Sequence, residues 1–83
     1  MTNDEFRMWI KGYTQLTSEQ YLNYKQFHII KSHANLVLAI ANHLDDDIII
    51  FLEKLEMELK INNQISVLFF RRNANNILKN VFV

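Results

Sequence analysis

Apolar residues recur at steps of three and four along most of the chain, and the polar positions between them mark four stretches of helical period. The first begins at Thr2, with Glu5 three residues later in the spacing of a capping box. Phe6, Trp9, Ile10 and Tyr13 then fall on one face as far as about Tyr13, where Gly12 weakens the end. Leu16 to Leu22 reads as a connector with one helical turn at most. Asn23, with Gln26 at the third position, starts a second helix over about Tyr24 to Leu44. Its stripe is Phe27, Ile30, Ala34, Val37, Ala41 and Leu44, and a second row, Ile29, His33, Leu36, Ile40 and His43, runs beside it. Two rows predict a helix central to the fold.

Asp45, Asp46 and Asp47 stand where they cap a third helix, about Asp46 to Ile61, striped by Ile48, Phe51, Leu52, Leu55 and Leu59. Its solvated side carries Glu53, Lys54, Glu56, Glu58 and Lys60. Asn62 and Asn63 suit the left-handed conformation that closes a helix. Val67, Phe70, Ala74, Ile77, Leu78 and Val81 predict a fourth helix over about Gln64 to Asn80, while ISVLFF at Ile65 to Phe70 offers a strand instead. The fold class is all-α: a small three- or four-helix bundle formed by one domain spanning residues 1–83.

Composition sharpens this picture. One Gly and no Pro leave few of the breakers that hairpins need. With 83 residues, 49% hydrophobic and 22% charged, the chain is too apolar for disorder and too interrupted by charge for a membrane span. Ten Asn and ten Ile are a compositional bias rather than a functional signal. Zero Cys excludes a disulfide scaffold, a zinc knuckle and a thiol nucleophile. MTNDEFRMW is no secretory leader, so the expected location is the cytoplasm.

Nine Lys and Arg balance nine Asp and Glu, which removes the attraction that nonspecific nucleic-acid binding uses. The charges are segregated, however. Residues 45–61 hold six acids and two bases, and residues 62–83 hold three bases and no acid. The two stretches should attract within one chain or between chains. Ile49, Ile50, Ile65, Leu68 and Phe69 are left over once each helix has one stripe, and exposing them on so small a domain is costly. A homo-oligomer is the expectation, with those five residues at its interface.

Candidate chemistry is thin. His28, His33 and His43 lack the three- or four-residue spacing that aligns metal ligands on a helix. Ser32 follows His28 by one turn without an orienting acid or an oxyanion site. Glu53 and Glu56 are ordinary solvated helix charges, and one Gly cannot build a phosphate loop. Neither an enzyme nor a cofactor is predicted. The first helix alone carries a suggestive set: Trp9 and Tyr13 beside Arg7 and Lys11, with Lys25 and Lys31 available from the second helix. Aromatics stack bases and cations hold phosphates, so these residues could clamp a nucleotide. The plainer reading places Trp9 and Tyr13 in the core, and Arg71 and Arg72 opposite the acidic third helix.

Phe6, Trp9-Ile10-Lys11-Gly12-Tyr13, Leu16, Leu22, Lys25-Gln26, Ile29-Ile30-Lys31, His33 and Leu36-Val37 form a pattern that resembles short accessory proteins of tailed bacteriophages. The resemblance reaches from the start of the chain to about Leu38, less than half of it, and brings no catalytic residue. It implies a phage-type protein acting stoichiometrically in the host cytoplasm, against a host defence. The leading expectation is sequestration of a nucleotide messenger by Arg7, Trp9, Lys11, Tyr13 and Lys31. The alternatives are an inhibitor that meets a host defence protein through Glu53, Glu56 and Glu58, or a small assembly protein with no ligand.

Overall fold

A computed structural model describes residues 1–16 and 20–79. It contains four helices, α1 (Asn3–Leu16), α2 (Tyr24–Ala41), α3 (Asp46–Asn62) and α4 (Val67–Leu78), with two very short strands, β1 (Tyr21–Leu22) and β2 (Ile65–Ser66). Each helix packs against two others, in the cyclic order α1, α2, α3, α4. The all-α reading therefore holds. The strand at Tyr21–Leu22 was not foreseen, and the strand alternative for ISVLFF is met at Ile65–Ser66 alone: the end of the expected connector pairs antiparallel with it, Tyr21 opposite Ser66 and Leu22 opposite Ile65. The rest of that β-prone run is helical. Connector residues 17–19 and stripe residue Val81 lie outside the described residues.

Local chemistry sets the helix starts. Glu5 N–H donates to Thr2 Oγ1 at 3.1 Å, and Thr2 N–H donates to Glu5 Oε1 at 3.0 Å, a reciprocal capping box. Hydrogen bonding to the carboxyl, first from the Thr2 N–H and then from its hydroxyl, holds Glu5 below its ordinary range. Asn23 and Gln26 repeat the box on α2, at 3.1 Å and 2.7 Å. The Ser66 hydroxyl accepts from Phe69 N–H at 3.1 Å to start α4. The helix ends follow from asparagine. Asn42 and Asn63 adopt left-handed backbone, φ 64° and 61°, and close α2 and α3. Asn63 was expected to do so. Asn42 was not, and it ends α2 at Ala41, three residues before Leu44.

Gly12 does not end α1, which runs on to Leu16. Nothing lies within 4 Å of the place a Cβ would take there. Gly12→Ala should thus raise stability by about 0.5–1 kcal/mol, by removing backbone freedom from the unfolded chain. A thermal melt of the variant checks this.

The core is one cluster. Phe6 and Ile10 of α1 meet Phe27, Ile30, Ala34 and Val37 of α2, Ile48, Phe51, Leu55 and Leu59 of α3, and Phe70, Ala74 and Ile77 of α4. Leu22 and Ile65 carry it under the strand pair. Each predicted stripe thus faces inward. The second row of α2 does not: Ile29, Leu36 and Ile40 are 46%, 51% and 65% exposed. His33 of the same row is half-buried, stacked against Trp9 of α1. No helix among the described residues is long and apolar enough to cross a membrane.

Candidate functional site

Arg7 is the most heavily engaged side chain of the proposed nucleotide clamp. It lies one position after Phe6 on α1, so its guanidinium is carried to the turn between α2 and α3. There Nη2 donates to Asp45 Oδ2 at 2.8 Å and Asp47 Oδ1 at 2.7 Å, while Nη1 donates to Asp4 Oδ1 at 2.9 Å. The side chain is 5% exposed. Burial pushes its pKa down, but the hydrogen bonds and charges of Asp45 and Asp47 outweigh that and hold it above its ordinary value. Its Nε is buried without a partner. Asn3 adds a second tie, accepting from Asp45 N–H at 2.9 Å and donating to the His43 carbonyl at 3.3 Å. The Asp triplet therefore does something its sequence position did not reveal. Asp45 makes no side-chain cap on α3, and Asp45 and Asp47 of the triplet join α1 to the α2–α3 turn through Arg7.

Trp9 and Tyr13 are half-buried against the core, so the plainer reading accounts for part of each ring. Trp9 stacks on His33 of α2, with centroids 3.8 Å apart and planes 13° from parallel. His33 Nδ1 lies 2.8 Å from the Ile29 carbonyl, which makes Nδ1 the protonated nitrogen and sets the ring under Trp9. Tyr13 lies 5.2 Å from Trp9 and meets the edge of Phe70 at 5.8 Å.

Helical position separates Trp9 from the cations of the set. Arg7 and Lys11 are each two positions from Trp9, about 200° around α1, and so occupy its other flank. Lys31 is likewise two positions from His33, about 200° around α2. The five residues read as a clamp are thus divided between opposite flanks of two helices. His28 and Ser32 are exposed, as is Lys25. The three glutamates of α3 do not converge either: Glu56 faces Lys60 Nζ at 3.9 Å and Glu58 accepts from Asn62 Nδ2 at 2.6 Å. Among the described residues no group of three or more metal-ligating side chains is assembled.

The expected interface set is also divided. Ile49, Ile50 and Leu68 are exposed, Leu68 by 75%, and Phe69 is half-buried against the core. Ile65 departs from the expectation. It is fully buried, because β2 pairing turns it inward opposite Leu22.

Two surfaces are more coherent than that set. One is the second row of α2, in which Ile29, Leu36 and Ile40 are exposed and His33 is half-buried. The other, which the sequence reading passed over, is a cleft between α3 and α4. It is walled on α3 by Ile50, Lys54, Met57, Glu58 and Ile61 and on α4 by Phe69, Arg72, Asn73 and Asn76. Met57 and Ile61 are 63% and 71% exposed. The signal for this cleft was present in the spacing, since 50, 54, 57 and 61 follow steps of four, three and four.

Comparison of the chain with protein-family models, with curated proteins and with solved structures finds no match.

Proposed function

We propose that this chain is a non-enzymatic binding protein that acts stoichiometrically as a homo-oligomer and meets its target through helix faces. The observation that carries this reading is the amount of large apolar surface left outside the core. Ile29, Leu36 and Ile40 on α2 and Ile50, Met57 and Ile61 on α3 are each 46–71% exposed, and they lie in rows rather than scattered. Rows of this kind on a small domain mark protein contacts. Following the resemblance of its first half to phage accessory proteins, the role we assign is to counteract a host defence protein in the host cytoplasm. The acids Glu53, Glu56 and Glu58 on α3 would supply the polar rim of that contact.

Sequestration of a nucleotide messenger is the second reading. It is supported by Trp9 and Tyr13, which keep part of their ring surface at the border of α1 and α2. It is weakened by the commitment of Arg7 to three carboxylates.

A native mass spectrum of the gently purified protein separates the readings. The expected result is a whole multiple of the single-chain mass with nothing added. An oligomer carrying the mass of a nucleotide would move the assignment to the second reading. A bare single chain would overturn the oligomer.

A further inference from the structure

Three polar side chains are buried among the described residues: Asn3, Arg7 and Asn73. The first two are accounted for by the tie between α1 and the α2–α3 turn. Asn73 has no such role. It lies on the inner flank of α4, one turn from both Phe70 and Ile77, and is 7% exposed. Its hydrogen bond, from Nδ2 to the Phe69 carbonyl at 2.9 Å, stays within its own helix. Its Oδ1 accepts from no described residue. Buried side-chain oxygens and nitrogens normally have partners. The part of Asn73 that is not buried faces the α3–α4 cleft, whose wall it forms, so an unmet carbonyl acceptor stands there.

The end of the cleft nearer the α2–α3 turn holds about 200 Å³. Phe51 and Ile77, 2% and 1% exposed, form its floor, and Asn76 presents a second amide one turn after Asn73. Its charged lining is one carboxylate and one ammonium, Asp47 and Lys54, seven residues and about 10 Å apart along α3. Asp47 shares the Arg7 guanidinium with Asp4 and Asp45, three carboxylates on one cation, so that end stays negative. Lys54 makes no ion pair with a described residue. Arg72 of α4 joins Lys54 where the cleft continues, and Glu58, one turn further along α3, is held by Asn62. The lining is therefore neutral in sum but polarised, with acceptors at Asp47 and Asn73 and cations at Lys54 and Arg72.

We propose that this end of the cleft binds a small dipolar molecule, its N–H donors directed to Asn73 Oδ1 and the Asp47 end and its carboxylate or phosphate directed to Lys54 and Arg72. A lining of separated opposite charges favours such a ligand over a simple anion or cation, and the Phe51–Ile77 floor takes its apolar body. The site needs one chain only and stands whatever the oligomeric state.

Two probes share this chemistry: adenosine monophosphate, with an amine and a phosphate at opposite ends, and the dipeptide leucyl-leucine, with an ammonium and a carboxylate. Each is titrated into the isotope-labelled full chain and followed by NMR of the amide groups. At least one should shift the signals of residues 47–54 and 73–77 together, including the Asn73 side-chain amide, and saturate in the millimolar range. A response to one probe alone assigns the ligand to nucleotides or to peptides. Lys54→Gln and Asn73→Leu should each weaken the binding about tenfold or more. Asn73→Leu should also keep or raise the melting temperature, because the bond it removes is local to α4. A lowered melting temperature would make Asn73 a structural residue and overturn its role. If neither probe shifts these signals at millimolar concentration, or if both variants bind as the wild type does, the cleft is not a ligand site.

Discussion

Arg7→Leu should lower the melting temperature by about 12–24 °C, corresponding to roughly 3 kcal/mol on a domain of this size. The loss comes less from the missing attraction than from what is left behind. Asp45 and Asp47 are 38% and 25% exposed and point at the guanidinium, so without it two carboxylates face each other in a partly dehydrated turn. Asp4, 79% exposed, contributes little in either state, since exposed pairs are worth about 0–1 kcal/mol. Arg7→Lys should recover only part of the stability, because an ammonium cannot span Asp4, Asp45 and Asp47 at once as the planar fork does. Adding Asp45→Asn and Asp47→Asn to Arg7→Leu should restore much of it by removing the stranded charges. Thermal melts of these three variants beside the wild type decide the matter. A melting temperature of Arg7→Leu within a few degrees of wild type would show that the guanidinium is not a structural tie and would return it to the pool of ligand-binding cations.

Phe70→Ala should cost about 3–5 kcal/mol, which is a large part of the total stability of an 83-residue domain. Phe70 is fully buried, its ring 6.1 Å from Phe51 and 5.8 Å from Tyr13, so it joins α4 to both α3 and α1. Removing it opens a cavity at the meeting point of three helices, where the backbone cannot collapse without parting them. Leu68→Ala, two residues earlier on the same helix and 75% exposed, should change stability by less than about 0.5 kcal/mol. Urea unfolding of the two variants, followed by tryptophan fluorescence, gives both values. Equal losses at the two positions would mean that α4 presents a different face to the core.

The contrast between Phe70 and Leu68 also shows what was legible before the structure. The stripe of α4 at steps of three and four identified its inner face, as did those of α1, α2 and α3, because helical period is a local property that survives packing. The capping boxes at Thr2 and Asn23 were legible for the same reason. Three features depended on distant residues and were not. The pairing of Tyr21–Leu22 with Ile65–Ser66 joins the two halves of the chain, and it is what turns Ile65 inward. The tie between Arg7 and Asp45 and Asp47 is of similar reach, and from the sequence alone the same aspartates serve equally well as caps. The third is the placement of the second α2 row. Its period was plain, but period does not say which of two apolar faces the other helices cover. The relation among the residues read as a clamp was legible from period alone: Trp9 and Lys11, like Lys31 and His33, are two apart on their helices and so lie on different flanks.

The proposed homo-oligomer requires that part of the apolar surface left outside the core be covered in solution by other copies of the chain. Sedimentation equilibrium of the wild type over a wide range of concentration measures this directly. The expected result is an average mass that rises with concentration from that of one chain to multiples of it. The mass of a single chain at every concentration would contradict it.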